Sequence, residues 1–171
     1  MNKLILIKNM GLKITWKLIG IGLFGCGEIP IVLSRGDVLE YLYSSLEENK
    51  DTIGDIVDLL CEENDNIAFD KKIIKLASDS SNIDLQKRKW KICLLRILID
   101  NLSEDYMQGI LEMMEFWVSM GISDDCPLTF PAENNAESVQ NYFTQSSYEI
   151  LIERNREWIG REVLRIAELD V

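Results

Sequence analysis

The chain has 171 residues, of which 47% are hydrophobic and 27% are charged, and its formal net charge is −11. This balance is typical of a globular protein, and the negative charge argues against direct binding to nucleic acid or to anionic lipid. The absence of histidine excludes Ser-His and Cys-His catalytic pairs and the commonest zinc and iron sites, so we expect no catalytic centre, metal or cofactor.

The first 29 residues are basic and apolar and allow two interpretations. A short apolar run at 18–25 before Cys26 resembles an export signal with a lipoprotein cleavage box. The segment before that run is unusually long and apolar for a signal, which favours a helix that starts at Trp16 with Thr15 as its N-cap. Residues 4–7 are predicted to form either a strand or an extra helical turn.

Helical periodicity predicts three helices between residues 37 and 77. The first has Asp37 as its N-cap and runs to about residue 48. The second begins at Asp51 or Thr52, runs to about residue 63, and carries an apolar stripe that we expect to face the core. That stripe consists of Ile53, Ile56, Val57 and Leu60. Asp70 is predicted to cap a shorter helix at 71–77.

The segment 83–101 is predicted to be the central helix, because its second half is almost wholly apolar. Ile92, Leu95 and Ile99 recur at helical spacing, and an apolar arc this wide belongs to a helix that neighbours cover on most sides. Arg96 interrupts the run, which is too short to span a bilayer. We therefore expect one all-α domain, residues 1–171, in which six to eight helices form a bundle or an irregular array.

Two further helices are predicted after residue 101. Ser103 is the expected N-cap of the first, and Gly121 its C-terminal stop. Its predicted apolar face consists of Met107, Ile110, Leu111, Met114, Trp117 and Val118. Residues 122–136 are predicted to be irregular. A last helix, in which the sequence allows a break at 144–147, is predicted from about residue 138 to residue 169. All four tryptophans are expected to be core anchors rather than ligand platforms.

The four cysteines lie too far apart in the sequence to suggest a metal-ligand pair. Cys61 and Cys93 are predicted to be small buried hydrophobic residues in a reducing compartment. The sequence leaves a disulfide pairing open.

Acidic residues are concentrated in two stretches of the chain. Residues 37–66 contain ten acidic residues and one basic residue, and residues 100–126 contain seven acidic residues and no basic one. The spacing of Asp51, Asp55, Asp58 and Glu62 places four carboxylates on one helix face, and Asp105, Glu112 and Glu115 would extend this acidic surface. Such a face can imitate phosphates and steer a basic partner, although a solvated helix face is the simpler interpretation of each stripe.

Two other groups of residues suggest different chemistry. Lys87, Arg88, Lys89 and Lys91 surround Trp90, as in a nucleic-acid patch, but in so acidic a chain we expect them to pair internally with the acidic helices or to cover the core with their aliphatic stems. Asp124, Asp125 and Glu133 are the best enzyme candidates, although a solvated loop is the simpler explanation.

Short motifs along the chain resemble an uncharacterised family of helical bacterial proteins. The motifs are Ile14-Thr15-Trp16-Lys17, Gly22-Leu23, Asp37-Val38-Leu39-Glu40-Tyr41, Lys87-Arg88-Lys89-Trp90 and Glu157-Trp158. Such proteins resemble the immunity partners encoded beside bacterial polymorphic toxins and contact-dependent growth inhibition toxins. The resemblance implies neutralisation of a toxin by stoichiometric binding in the cytoplasm, and it implies no catalytic residues.

The charge pattern, the missing histidine and the resemblance together predict an immunity protein. Its expected partner is a basic toxin domain, a ribonuclease or another nuclease, whose active site the acidic surface would occlude. The alternative is a non-catalytic helical scaffold or adaptor, for which the sequence leaves homodimerisation open. An enzyme is the third hypothesis.

Overall fold

A computed structural model of the protein describes residues 2–46, 53–122, 125–128 and 141–169. These residues form eight helices and no β-strand, which confirms the predicted all-α class. The helices are α1 (Lys3–Asn9), α2 (Trp16–Phe24), α3 (Arg35–Ser45), α4 (Ile53–Leu60), α5 (Asn66–Leu76), α6 (Ile83–Asp100), α7 (Tyr106–Ser119) and α8 (Gln145–Leu169). None of the helices in the described ranges is long and apolar enough to cross a membrane.

The internal contacts divide the chain into two compact units. The first unit comprises Met1–Trp90 with Ile166–Val171, and the second comprises Lys91–Arg165. The division falls inside α6 and again near the end of α8. The expectation of a single domain stays a prediction.

The N-terminal region is helical rather than extended. α1 covers residues 4–7, so the strand alternative is wrong and the helical one is confirmed. Thr15 caps α2 as predicted, because its side-chain oxygen accepts the N–H of Leu18. The side chains of Ile19 and Leu23 are buried, whereas Trp16, which was expected to be a core anchor, is half-buried.

Two predicted N-caps of the first unit are wrong, because another acceptor lies just upstream of each. Ser34 caps α3, and Asp37 occupies the third helical position, where its carboxylate accepts the N–H of Ser34 and completes a capping box. Asp65 caps α5, so Asp70 lies within the helix instead of before it. Asp70 instead accepts two hydrogen bonds from Arg35, of 2.9 and 2.6 Å.

The predicted central helix is confirmed as α6. Its residues Trp90, Ile92, Cys93 and Leu95 are fully buried. The indole N–H of Trp90 donates a 2.8 Å hydrogen bond to the carbonyl of Leu18 within the first unit. Cys93 is therefore a buried hydrophobic residue, as predicted, whereas Cys61 is exposed after α4 and that prediction is wrong.

The core of the second unit is built on α7 and α8. Trp117 and Trp158 meet edge to face with ring centroids 5.0 Å apart. The indole N–H of Trp117 donates to Oδ1 of the buried Asn155 at 2.8 Å, and Nδ2 of Asn155 donates to the carbonyl of Leu151 at 2.7 Å. Trp117 and Trp158 are therefore core anchors, as the sequence predicted.

The N-terminus of α7 also differs from the prediction. Asp105, rather than Ser103, is the N-cap, because its carboxylate accepts the N–H of Gln108. The predicted stop is confirmed, since α7 ends at Ser119 and Gly121 follows with φ of 73°, which favours glycine.

Candidate functional site

The predicted acidic stripe of the first unit is present in part. Asp51 lies outside the described residues. Asp55 and Asp58 are exposed on α4, and Glu62 is half-buried in the turn that follows. The opposite side of α4 buries Ile56 and Leu59.

One carboxylate of this stripe already has a cationic partner. Lys72 of α5 lies with its Nζ 3.3 Å from Oδ2 of Asp58, and it donates a 3.0 Å hydrogen bond to the carbonyl of the same residue. Asp58 remains largely exposed, so water screens this pair and its contribution to stability is small. The stripe therefore remains negative at Asp55, whereas Lys72 partly compensates the charge of Asp58 beside it.

The three predicted carboxylates of the second unit serve different purposes. Asp105 caps α7, and Glu112 is half-buried where it accepts the N–H of Ser103 at 3.2 Å. Of the three, only Glu115 is exposed and makes no hydrogen bond or ion pair to another described residue. Replacing Asp105 or Glu112 would therefore remove a contact at the start of α7, whereas replacing Glu115 would remove none. Glu115 is thus the residue of the three that is best placed to contact a partner.

α7 has two apolar faces instead of the single face that the sequence predicted. The inner face, which is buried, consists of Gly109, Ile110, Met113 and Trp117. The remaining predicted positions form an outer stripe, in which Met107 is 49%, Leu111 40% and Val118 61% exposed and Met114 is half-buried. The prediction that Met107, Leu111 and Val118 face the core is wrong.

The outer stripe of α7, Met107, Leu111, Met114 and Val118, is narrow and aligned. Its spacings of four, three and four residues keep the side chains within about 60° of one another around the helix. Glu115 follows directly beside it, and α7 contains no lysine or arginine. The outer stripe therefore combines apolar anchors with negative charge.

α4 shows a similar departure from prediction on a smaller scale. Val57, expected to face the core, is exposed, and Leu59 takes a buried position in its place. The side chain of Ile53 lies outside the described residues. Which residues of α4 are buried depends on how the neighbouring helices pack against it, and the local sequence pattern does not show this packing.

The basic cluster on α6 makes internal contacts. Lys87 pairs with Glu28 at 3.2 Å, and the fully buried Lys89 donates from Nζ to the carbonyl of Lys13 at 2.7 Å. Lys91 donates to the carbonyl of Gly121 and lies 5.7 Å from the ring centroid of Trp117. These contacts are internal, as predicted, but the partners are Glu28 and backbone carbonyls rather than carboxylates of the acidic helices.

The proposed enzyme residues do not assemble into a described site. Asp124 and Glu133 lie outside the described residues, and Asp125 is exposed. Within the ranges that are described, no three His, Cys, Asp or Glu side chains are grouped so that they could hold a metal ion. Burial raises the pKa of the neighbouring Cys126 thiol, which is the opposite of the shift that activates a nucleophile.

The first unit contains a pocket of about 490 Å³ that the sequence did not predict. The residues around it come from α1 to α4 and from two connecting segments. They are Lys8, Leu12, Lys13, Ile14, Thr15, Trp16, Ile19, Tyr41, Leu42, Ser45, Ile56 and Asp79. Residues as far apart in sequence as Lys8 and Asp79 meet here, so no local motif announces the pocket.

Residues 4–163 match the family model described as "Uncharacterized protein conserved in bacteria (DUF2247)", and the chain belongs to this family. The predicted resemblance to a bacterial family is confirmed at this level. No curated protein and no solved structure matches the chain.

Proposed function

We propose that this protein is an immunity protein. It binds a basic toxin domain, a ribonuclease or another nuclease, in the bacterial cytoplasm and covers the active site of that toxin. The observation that carries the proposal is the outer stripe of α7, where exposed apolar side chains lie beside Glu115 on a helix without basic residues.

Aligned apolar residues on an exposed helix face indicate a binding surface. Single exposed leucines are common, but anchors at i, i+4, i+7 and i+11 on one face follow the pattern of helix recognition. Met107 and Met114 add adaptable side chains to this surface. The outer stripe of α7 thus offers the apolar centre, and Glu115 the charged edge, of a protein interface.

The charge of this surface selects the class of partner. Nucleases hold phosphates with lysine and arginine, so their active sites are positive. A protein of net charge −11 would be steered towards such a site. The same charge opposes the alternative, a homodimeric scaffold, because two copies of α7 would bring carboxylates together without a compensating cation.

The exposed carboxylates of α4 supply a second acidic area in the first unit. Asp55 and Asp58 would strengthen steering there, together with Glu62. The predicted participation of Asp51, Asp105 and Glu112 is retained as part of the proposal, although Asp105 and Glu112 also hold the start of α7.

The first experiment takes the C-terminal domain of a large secreted protein encoded immediately upstream, measures its toxicity, and then combines co-expression with affinity pull-down. We expect growth to be rescued and a one-to-one complex to be recovered. Failure of both rescue and binding would overturn the immunity proposal and leave the scaffold alternative, which sedimentation of the protein alone would test as a dimer.

A matched pair of variants then tests the surface. Leu111→Lys changes the outer stripe of α7, and Leu164→Lys makes the same change at an exposed leucine of α8 in the same unit. We expect the first to weaken toxin binding at least about tenfold, as loss of an interface anchor does, and the second to bind normally. Equal affinity of both variants would refute the assignment to α7.

The acidic area of α4 is tested separately by reversing Asp55, Asp58 and Glu62 to lysine. We expect slower association that approaches the wild-type rate at high salt, because screening removes steering in both proteins. Wild-type kinetics in the triple variant at low salt would exclude this area from the interface.

A further inference from the structure

We infer that the pocket of the first unit binds a small, neutral and largely apolar molecule. The inference goes beyond the proposed immunity function and does not depend on it. The pocket's volume, about 490 Å³, falls within the range of roughly 300 to 1,000 Å³ that is usual for small-molecule sites. The class of ligand follows from the burial of the apolar lining and from the contacts that the polar lining already makes.

The apolar part of the lining is largely shielded from water. Leu12, Ile19, Leu42 and Ile56 lie around the pocket, and each of them is no more than 4% exposed. A preformed apolar pocket that is poorly hydrated favours an apolar ligand, because little bound water has to be displaced. The ligand itself gains about 25 cal/mol for each Å² of its apolar surface that leaves water.

Two hydroxyl groups of the lining already have partners within the protein. The hydroxyl of Ser45, which is buried, donates to the carbonyl of Tyr41 at 2.8 Å. The hydroxyl of Thr15 donates to Oε1 of Gln86 at 3.0 Å and accepts the N–H of Leu18. Each hydroxyl has a single hydrogen to donate, and in both residues that hydrogen is used, so neither can donate to a polar ligand without losing a bond.

The charged side chains of the lining do not favour a charged ligand. Asp79, the one carboxylate among the described lining residues, forms an ion pair with Lys17 at 3.4 Å and accepts the N–H of Ser81. Lys8 has an interaction partner of its own, and Lys13 is exposed, so water screens its charge. A charged ligand would therefore give up its hydration without gaining an unpaired, buried counter-charge.

The buried side-chain groups that lack a hydrogen-bond partner lie elsewhere in the described part of the chain. They are the hydroxyl of Tyr142 and the indole N–H of Trp158, which belong to the second unit. Neither residue lines the pocket, so the polar side-chain atoms of the described lining either have a partner or reach solvent. A polar group of a ligand would exchange water for no better partner here, which leaves apolar contact as the source of affinity.

Three probes that share a phenylbutyl skeleton test the class of ligand: butylbenzene, 4-phenylbutanoate and 4-phenylbutylammonium. Calorimetry with the whole 171-residue chain should show butylbenzene binding at least about tenfold more tightly than either charged probe, because the charged probes lose hydration without compensation. Its binding enthalpy should become more negative as the temperature rises, which is the signature of apolar burial. Failure of butylbenzene to bind, or an affinity for either charged probe that equals or exceeds its own, would overturn the inference.

Trp16 provides a reporter of position, because it lines the pocket whereas Trp90, Trp117 and Trp158 are fully buried. Butylbenzene should change the tryptophan fluorescence of the wild type, and Trp16→Phe should abolish that change while calorimetry still detects binding. An unchanged fluorescence response in Trp16→Phe would place butylbenzene elsewhere and refute the site.

A matched pair of variants completes the test. Ile14→Trp places a larger side chain at a half-buried position of the lining and should weaken butylbenzene binding at least about tenfold. Ile31→Trp makes the same change at a position of the first unit that is 67% exposed and does not line the pocket, and it should bind normally.

Circular dichroism verifies that both variants are folded. Wild-type affinity for butylbenzene in folded Ile14→Trp, or an equal loss of affinity in both variants, would overturn the proposed site. The fluorescence of Trp16→Phe still decides the site if Ile14→Trp does not fold.

Discussion

The hydrogen bond between Trp117 and Asn155 should be a main determinant of the stability of the second unit. Both side chains are fully buried, and Oδ1 of Asn155 accepts the indole N–H at 2.8 Å. Asn155→Ala would leave the indole donor without a partner in the core. An unsatisfied buried donor costs about 1–3 kcal/mol, and the lost volume adds about 1 kcal/mol, so we expect a loss of roughly 2–4 kcal/mol.

A double-mutant cycle isolates the hydrogen bond from the other effects. Trp117→Phe removes the donor, and with it part of the edge-to-face contact with Trp158. In that background, Asn155→Ala leaves no indole unpaired, so its cost should fall by about 1–2 kcal/mol. Urea unfolding, followed by circular dichroism, gives the four free energies.

A surface substitution serves as the control for this cycle. Asn64→Ala changes an exposed asparagine in the turn after α4 and should alter the free energy of unfolding by less than about 0.5 kcal/mol. The reasoning would be refuted if Asn155→Ala cost no more than this control, or if the coupling energy with Trp117→Phe were near zero.

Two further predictions concern pH and helix packing. The hydrogen bonds from Arg35 lower the pKa of Asp70, so the carboxylate stabilises the fold above its unfolded pKa and loses this effect as the pH falls through its folded pKa. Asp70→Asn should therefore be less stable than the wild type at about pH 7. Thermal melts should show the difference in stability between the two proteins shrinking below about pH 4, and a difference that is constant with pH would contradict this reasoning. Gly109→Ala should destabilise by about 1–3 kcal/mol, because the added Cβ would lie 2.5 Å from the ring of Tyr148. Gly160→Ala, with open space around the added atom, should instead stabilise the protein by about 0.5–1 kcal/mol. Equal free energies of unfolding for the two variants in denaturant titrations would refute the packing argument.

Much of the candidate surface is predictable from spacing alone. Asp55 and Asp58 were expected on an exposed helix face and both are exposed on α4. Their pairing state was not predictable, because Lys72 reaches Asp58 only after α5 has packed against α4. The same limit applies to Glu112, whose contact with Ser103 depends on how the chain enters α7.

The pocket of the first unit could not be predicted from the sequence. Trp16 was expected to be a core anchor, as Trp90, Trp117 and Trp158 are, and it is instead half-buried at the pocket. A tryptophan at the start of a helix has the same sequence pattern around it whether it lies in the core or beside a pocket. Whether another residue fills the space beside it depends on the helices α3 and α4, which come later in the chain.

Four features could be predicted from the sequence: the all-α class, the position of α6, the Thr15 cap of α2 and the glycine stop after α7. These features depend on backbone hydrogen bonds and apolar periodicity within a few residues, so local spacing suffices to predict them. Three other features became visible only in the folded protein: the apolar face of α7 that is buried, the exposure of Cys61, and the pairing of Asp70 with Arg35 instead of a helix cap. Each of these outcomes depends on neighbours that are distant in sequence, because burial and pairing require a second surface that the local pattern does not contain.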